Sequence, residues 1–237
     1  MLPPFKDRID AGRQLAALLR DYAGRRDVLV LGLARGGVPV ASEVARMIGA
    51  PLDVFVVRKL GVPHHEELAM GAIASGGVRV LDRQLIGSLH ISDEAVSHAT
   101  SEQHRELERR ESAYRNMRPT PDVRGKTVIV VDDGLATGAS MFAAVAALRQ
   151  SDPAAIVVAV PVAAPDASIA MRRLTDECVC VMTPKRFHGV GEWYADFSQT
   201  TDAEVRALLE VAARRQGTDG HAVMKAPVRE RLAPPGG

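Results

Sequence analysis

Short, unbroken apolar runs that alternate with helical segments limit the possible folds of this chain more than any other feature. Such runs are typical of strands buried on both faces of a parallel sheet, whereas half-exposed strands alternate apolar and polar residues. The helical spacing in between predicts the crossovers that parallel strands require. The sequence therefore predicts an α/β fold with an open parallel sheet. The predicted strands are 28–33, 53–57, 127–131, 155–160 and 178–182, and the predicted helices between them include 39–48, 139–149 and 166–174.

A long, highly charged segment interrupts this alternation between the second and third strands. Residues 93–118 contain few apolar side chains, and Glu106 with Arg110 and Glu111 with Arg115 form i,i+4 pairs, which stabilise an exposed helix. We expect a solvated helix that lies over the domain, and a contact in a homodimer is the alternative interpretation.

Two shorter segments before this helix carry polar or turn-forming residues. The run His-His-Glu-Glu at 64–67 is not a known metal-ligand spacing, and adjacent side chains diverge, so a polar loop is predicted there rather than a metal site. Gly76-Gly77 predicts a hairpin turn between extended segments at 70–75 and 78–81.

The two ends of the chain differ in character. Apolar residues recur at helical spacing over residues 7–23, and a last helix is predicted over 203–214. From residue 216 to 237 the periodicity is lost while glycine and proline become frequent, so a disordered tail is predicted. One domain is therefore expected over residues 5–215.

Charge balance, cysteine content and hydropathy exclude several classes of protein. The chain has 30 Lys+Arg against 29 Asp+Glu, which gives no basic surface for nucleic acid. Two cysteines cannot form a disulfide framework and favour a reducing compartment. No apolar run approaches the ~18 residues of a membrane span, and the amino terminus lacks the apolar core of a secretion signal. We expect a cytoplasmic protein that binds neither nucleic acid nor membrane.

The segment from Val128 to Ser140 is the most informative about function. Its β-branched residues lead into the adjacent carboxylates of Asp132 and Asp133, and a loop of small residues then runs directly into a helix. Ligands of open parallel sheets bind at the carboxyl ends of strands, and small residues before a helix N-terminus suit an anion such as phosphate. The adjacent acids suit vicinal hydroxyls or a hydrated Mg²⁺. Phosphate next to a diol describes a ribose 5-phosphate.

This segment resembles the phosphoribosyl-diphosphate (PRPP) signature of the type I phosphoribosyltransferases, with Gly134 and Ser140 where an aliphatic residue and threonine are usual. Residues 5–215 also resemble a bacterial branch of that family, some of whose members are fused to an erythromycin-esterase-like domain. The further matching segments are 33–40, 58–61 and 188–197. The resemblance implies the parallel-sheet fold of these enzymes, with a small C-terminal hood at about residues 183–199 and the charged helix as an insertion.

The resemblance also assigns the PRPP-binding residues to loops at one edge of the sheet. Asp132 and Asp133 are implied to hold the ribose hydroxyls. The implied 5′-phosphate ligands are Ala136, Thr137, Gly138, Ala139 and Ser140. The implied pyrophosphate loop is Ala34, Arg35, Gly36 and Gly37, and Arg58 and Lys59 begin a mobile loop that closes over the site.

Catalysis is then expected to depend on Arg35, Lys59, Asp132 and Asp133. Breaking the bond from C1′ to pyrophosphate leaves negative charge on the departing group, which Arg35, Lys59 and Mg²⁺ would stabilise. No protein metal site is predicted, because PRPP and water are expected to hold the Mg²⁺.

The aromatic residues near the end of the predicted sheet are candidates for contact with the acceptor. Four of the nine aromatic residues lie between positions 187 and 197. They form either a small core cluster or a platform in the hood on which an acceptor base stacks. Trp193 and Lys185 are the candidate acceptor-binding residues. Ala136 stands where the 6-oxopurine enzymes carry an aspartate, which departs from the hypoxanthine- and guanine-type pattern.

The function implied by the resemblance is Mg²⁺-dependent transfer of the 5-phosphoribosyl group from PRPP to a nitrogen acceptor, with a nucleobase as the favoured acceptor and pyrophosphate as product. A non-catalytic PRPP-binding regulator is the main alternative, and a sugar-phosphate hydrolase is a third. Regulators of this fold usually carry a nucleic-acid-binding element, and no helix-turn-helix precedes the core here. Arg35 and Lys59 favour the transferase, because a sensor needs less stabilisation of a leaving group.

Overall fold

A parallel sheet forms the centre of the protein, whose computed structural model describes residues 4–63, 65–116 and 118–222. The strands are β1 Val28–Leu33, β2 Leu52–Phe55, β3 Val57–Val62, β4 His65–Ala74, β5 Val78–Leu81, β6 Thr127–Val131, β7 Ala155–Val162 and β8 Glu177–Met182. The helices are α1 Arg8–Leu18, α2 Gly37–Ile48, α3 Arg83–Ser88, α4 Asp93–Arg115, α5 Ala139–Arg149, α6 Pro165–Leu174 and α7 Asp202–Ala222. Five parallel strands follow the order β2-β1-β6-β7-β8. The predicted α/β fold is thereby confirmed.

The central strands are buried on both faces, as their unbroken apolar sequences predict. Val30 and Ile129 pack toward α1, α2 and α7, while Leu31 and Val130 pack toward α5 and α6. All residues of β1 and β6 are buried. Helices cover both apolar faces of the sheet. The loops at the carboxyl ends of its strands are therefore where a ligand can bind.

The second predicted strand, 53–57, spans a junction between two sheets. β2 ends at Phe55 in the parallel sheet, and β3 begins at Val57 in a separate antiparallel sheet of order β3-β4-β5. Gly76 and Gly77, with φ of 80° and 74°, form the predicted turn between β4 and β5. The polar loop predicted at 64–67 is wrong from His65 onward, because His65 pairs with Val62 and begins β4; residue 64 lies outside the described residues.

The charged helix α4 lies within the predicted range 93–118, and its two predicted i,i+4 pairs are present. Arg110 contacts Glu106 at 2.8 Å, and Arg115 contacts Glu111 at 2.6 Å. Arg115 is nevertheless only 3% exposed, because its guanidinium also donates to the Val54 carbonyl on β2 at 2.8 Å. The solvated-helix prediction is therefore wrong at this end, where α4 is fixed to the edge of the sheet.

The last helix is longer than predicted. α7 starts at Asp202 and continues past residue 214 to Ala222. The disordered tail predicted from residue 216 is wrong for 216–222, where no proline is present to end the helix. The rest of that predicted segment lies outside the described residues. No helix in the described part of the chain is both long and apolar enough to cross a membrane.

Candidate active site

The loop between β6 and α5 has the geometry of an anion-binding turn. Leu135 is fixed beneath it, since its N–H donates to the Val162 carbonyl at 2.9 Å and its own carbonyl accepts from Ala164 at 2.8 Å. Gly138 adopts the left-handed conformation, with φ of 77° and ψ of 2°, and α5 begins at the next residue. Ala136 and Thr137 are exposed. The first turn of α5 therefore lies beside an open loop, where its N–H groups have no intrahelical acceptor and only that of Ala139 has a long contact, 3.5 Å to Thr137 Oγ1, among the described residues. Such an arrangement binds phosphate.

A small cavity joins this loop to the predicted mobile loop and to the hood. It has a volume of about 190 Å³ and is lined by Lys59, Asp132, Val190 and residues 134–141. A neighbouring cavity of about 710 Å³ also includes Lys59 and Ser140 and extends toward α4 at His98 and Gln103. The smaller cavity has room for a phosphate, and the larger one extends the space beyond it.

The predicted pyrophosphate loop packs directly on the two acids. A Cβ at Gly36 would overlap Asp133 Oδ2, and one at Gly37 would lie 2.8 Å from the Asp132 Cα. Only glycine leaves room for this approach. The peptide bond between Ala34 and Arg35 is cis. Two loops that are about a hundred residues apart in sequence thus share one edge of the sheet, because β1 and β6 are paired neighbours.

Burial disfavours the charged forms of the two adjacent aspartates. Burial raises the pKa of Asp132 well above its ordinary value, and the neighbouring Asp133 raises it further. Burial also raises the pKa of Asp133, while Arg8 opposes that shift. Adjacent buried carboxylates are seldom kept without a purpose, so this pair is a candidate functional site.

Arg8 is the residue of this site that sequence reasoning missed. Its Nε and Nη2 atoms lie 2.9 and 2.8 Å from Asp133 Oδ2, and its Nη1 donates to the Ser198 carbonyl at 2.7 Å. The Tyr194 hydroxyl fixes the same acid from the hood by donating to the Asp133 carbonyl at 2.5 Å. Arg8 was part of a predicted amphipathic helix, and no local pattern indicated a partner 125 residues away.

The predicted cationic residues differ in how close they lie to the acid pair. Lys59 lines the same cavity as Asp132. The Arg35 guanidinium instead lies 3.6 Å from Asp202 at the start of α7, and Asp202 also accepts from Tyr114 of α4 at 2.8 Å. Arg58 donates to Gln103 of α4 at 2.9 Å. Arg35 and Arg58 therefore contact the surrounding helices in this conformation.

The segment 183–199, predicted to be the hood, is paired with the amino terminus. Phe5 pairs with Tyr194, and its N–H donates to the Trp193 carbonyl at 2.6 Å. Trp193 is half-buried against this cluster, and its Nε1 is buried with no hydrogen-bond partner among the described residues. Val190 covers the acid-pair loop, since a Cβ at Gly134 would lie 2.5 Å from its Cγ1. Lys185 is exposed.

The described side chains do not form a metal site by themselves. The described residues contain no group of three or more His, Cys, Asp or Glu side chains placed to hold a metal ion, and one oxygen of Asp133 is committed to Arg8. Mg²⁺ commonly binds through one or two carboxylates together with substrate phosphates and water. The site therefore fits a Mg²⁺ ion that arrives with a phosphorylated ligand.

A parallel sheet that presents an acid pair and a small-residue anion loop beneath a hood defines a protein of the type I phosphoribosyltransferase class. The chain belongs to this transferase family, because the sequence model of the family described as "Phosphoribosyl transferase domain" matches residues 5–195.

Individual proteins agree with this assignment. The chain is 46% identical over 210 residues to a Mycobacterium tuberculosis H37Rv protein that carries the provisional name phosphoribosyl transferase Rv0571c; the match covers 89% of this chain and 47% of that protein. The chain thus spans about half the length of the curated relatives it matches. The crystal structure of TT1426 from Thermus thermophilus is 42% identical, with a TM-score of 0.77, and the match covers 87% of this chain and 97% of TT1426.

Proposed function

We propose that this chain transfers the 5-phosphoribosyl group of PRPP to a nitrogen acceptor and releases pyrophosphate. The observation that carries the proposal is the packing of the 34–37 loop on the acid pair, with Gly36 against Asp133 and Gly37 against Asp132. This contact brings the segments proposed to bind pyrophosphate, the ribose diol and the 5′-phosphate to one edge of the sheet. PRPP carries the three matching groups in the same order around its ribose.

The residues of the chain act on binding, orientation and charge. Asp132 and Asp133 accept hydrogen bonds from the ribose hydroxyls, and the backbone N–H groups of residues 136–140 hold the 5′-phosphate. The bond from C1′ to oxygen breaks with its electron pair leaving on pyrophosphate, the acceptor nitrogen bonds to C1′, and that nitrogen releases its proton. Mg²⁺ supplies positive charge to the leaving pyrophosphate. Lys59 adds positive charge near the leaving pyrophosphate. Arg35 also adds positive charge there after its guanidinium separates from Asp202.

The acceptor is proposed to be a nucleobase held under the hood. Trp193 offers a half-buried ring for stacking, and Lys185 is exposed in the same segment. Stacking on aromatic rings tolerates different bases. Ala136 supplies no carboxylate at the loop position used by 6-oxopurine enzymes, so adenine-like bases and pyrimidines are the first to test.

A panel of nucleobases with PRPP and Mg²⁺, monitored by pyrophosphate release, tests the proposal. We expect release that depends on one acceptor and is lost in Lys59→Ala, with Lys126→Ala, outside the site, as the matched control. PRPP binding without release for every acceptor would support the alternative, a non-catalytic PRPP-binding regulator.

The free cysteines Cys178 and Cys180 support the proposal that the protein works in the reducing cytoplasm.

A further inference from the structure

The guanidinium of Arg8 is shared between the acid pair and the hood. All three of its nitrogen atoms have partners: Nε and Nη2 contact Asp133 Oδ2, and Nη1 contacts the Ser198 carbonyl. Its plane also lies over the Phe197 ring, 4.0 Å from the centroid. The Arg8 side chain is 11% exposed and that of Asp133 15% exposed, so the pair is largely withdrawn from water.

We propose that Arg8 is a positioning residue of the active site: it holds one oxygen of Asp133 and fixes the hood, so that the acid pair stays charged and oriented toward the ribose. This inference rests on the proposed function where it concerns ribose. Both bonds of Arg8 to the acid fall on Oδ2, and an ionised carboxylate has further lone pairs on its other oxygen. Oδ1 of Asp133 therefore stays available to a ribose hydroxyl.

The charged groups that surround the acid pair determine whether it keeps its charge. The charged and titratable groups that face the pair are Arg8 on α1, Lys59 on β3 and Tyr194 in the hood. Asp196 of the hood and Glu204 of α7 also interact with Arg8, and the pKa of each lies below its usual value. Lys59 lines an open cavity and Arg35 is paired with Asp202. Among the described residues, Arg8 is thus the cation in direct contact with the pair, through Asp133. A buried carboxylate without a cationic partner takes up a proton and loses acceptor capacity.

The geometry around Arg8 requires an arginine rather than a lysine. A lysine ammonium provides a point charge, whereas the planar guanidinium reaches a carboxylate, a carbonyl and an aromatic ring together. Residues 5 and 6 reinforce the arrangement, since Phe5 and Lys6 accept hydrogen bonds from the hood residues Ala195 and Asp196 at 2.7 and 2.9 Å. The amino-terminal segment 5–8 is therefore a structural part of the active site.

The first test measures thermal unfolding of Arg8→Met and the wild type from pH 5 to pH 8. Since burial raises the folded-state pKa of both acids above their unfolded values, stability falls as rising pH ionises them. Removing Arg8 makes that ionisation more costly, so the loss of melting temperature in Arg8→Met is expected to grow with pH. Arg13→Met is the matched control on the same helix, because Arg13 is 59% exposed and pairs with Glu43, whose pKa is already below its usual value.

A loss that stays constant from pH 5 to pH 8 would show that Arg8 only packs, and would overturn the proposal. This measurement needs no ligand, so it decides the charge argument even where PRPP proves not to bind. If the wild type binds no PRPP but the pH-dependent loss is observed, the proposed function fails and the role of Arg8 toward the acids stands.

The second test measures the affinity for PRPP with Mg²⁺ by calorimetry. We expect Arg8→Met to bind about ten- to a hundredfold more weakly, as for loss of a charged hydrogen bond, with Arg8→Lys in between and Arg13→Met within about twofold. As pH is lowered, the affinity of Arg8→Met for PRPP should begin to decline at a higher pH than the affinity of the wild type does. Protonation of PRPP itself affects both proteins equally. Wild-type affinity and pH profile in Arg8→Met would contradict the proposal. If Arg8→Met does not fold, the PRPP affinity of Arg8→Lys decides, because this variant keeps the charge and loses the shared geometry. Weaker binding is expected, and wild-type affinity in Arg8→Lys would contradict the proposal.

Discussion

At the scale of single residues, the two adjacent aspartates have different surroundings. Asp133 contacts a guanidinium through Oδ2, and its backbone carbonyl accepts from Tyr194. Asp132 accepts from the Asp133 N–H at 2.9 Å and lines the open cavity with Lys59. Burial and its neighbour raise the pKa of Asp132 strongly. Asp133 is therefore held by side-chain and backbone contacts, whereas the raised pKa of Asp132 indicates that its charged form is disfavoured in the folded chain.

This difference predicts opposite effects of the same substitution. Asp132→Asn removes a buried charge, so we expect it to raise stability at pH 8 by about 1–2 kcal/mol, or about 2–8 °C in melting temperature, while PRPP binding is lost. Asp133→Asn leaves Arg8 with a neutral partner and is expected to lower stability by about 1.5–3 kcal/mol. Differential scanning calorimetry with and without Mg²⁺-PRPP measures both.

The pH dependence of the Asp132→Asn effect has a definite sign. Because the folded-state pKa of Asp132 is raised, its ionisation costs stability above the ordinary carboxyl range, and the advantage of asparagine is present at high pH. The advantage should shrink as pH falls below the raised folded-state pKa of Asp132. It should vanish only near the ordinary carboxyl pKa, where Asp132 is protonated in both the folded and the unfolded chain. An advantage that is equal at pH 5 and pH 8 would show that charge burial is not its cause.

At the scale of elements, the hood contacts the acid-pair loop at Val190 as well as through the Tyr194 hydroxyl. Gly134 has no side chain where related loops carry an aliphatic residue, and Val190 of the hood fills that space, 2.5 Å from the position of a Cβ at Gly134. The glycine at position 134, which departs from the family pattern, is thus explained by Val190, which lies 56 residues further along the chain.

The contact predicts that one substitution compensates another. Gly134→Ala should displace the hood and cost about 1–3 kcal/mol, the usual penalty of overpacking. Val190→Ala in the same chain should recover most of that loss by making room for the new methyl group. A double-mutant cycle of melting temperatures and Trp193 emission measures the coupling; strictly additive effects would contradict the contact.

The inserted helix α4 is held by its last turn. Arg115 contacts Asp53 at 3.1 Å and Glu111 at 2.6 Å with a side chain 4% exposed, and burial raises the pKa of Asp53 while Arg115 lowers it. Arg115→Ala is expected to cost about 3–5 kcal/mol, because it leaves buried carboxylates without their cation. Arg110→Ala on the same helix, whose side chain is 32% exposed, should cost less than about 1 kcal/mol. Urea denaturation compares the two; similar losses would show that α4 is not fixed at Arg115.

The sequence correctly predicted the helices and strands that local residue patterns determine. β1, β6 and α5 begin and end where the apolar runs and the glycine-rich loop indicate. It failed where tertiary contacts decide: β3 and β4 form because they pair with each other, and α3 is a six-residue helix too short for a periodic signal. The same limit applies to the site, since the motif identified the acid pair and the phosphate loop but carried no information on Arg8.

At the scale of the whole molecule, the candidate site is assembled from segments spread along most of the chain. The amino-terminal segment, the 34–37 loop, Lys59, the 132–140 loop and the hood meet at one edge of the sheet. A ligand that contacts several of these segments binds the folded chain and has no comparable site in the unfolded one. Ligand binding should therefore be visible as global stabilisation.

The last prediction follows from this linkage. PRPP with Mg²⁺ at about 100 times its dissociation constant should stabilise the fold by about 2.7 kcal/mol, which corresponds to roughly 5–11 °C for a domain of this size. Pyrophosphate or ribose 5-phosphate alone should each give a smaller shift, because each reaches only part of the site. If Mg²⁺ arrives with the ligand, chelating it should remove most of the PRPP shift while leaving the melting temperature of the free protein unchanged. Asp132→Asn provides the control variant, since it is expected to fold well and yet show no PRPP shift. Millimolar Mg²⁺-PRPP that leaves the wild-type melting temperature unchanged would rule out PRPP as the ligand of this site.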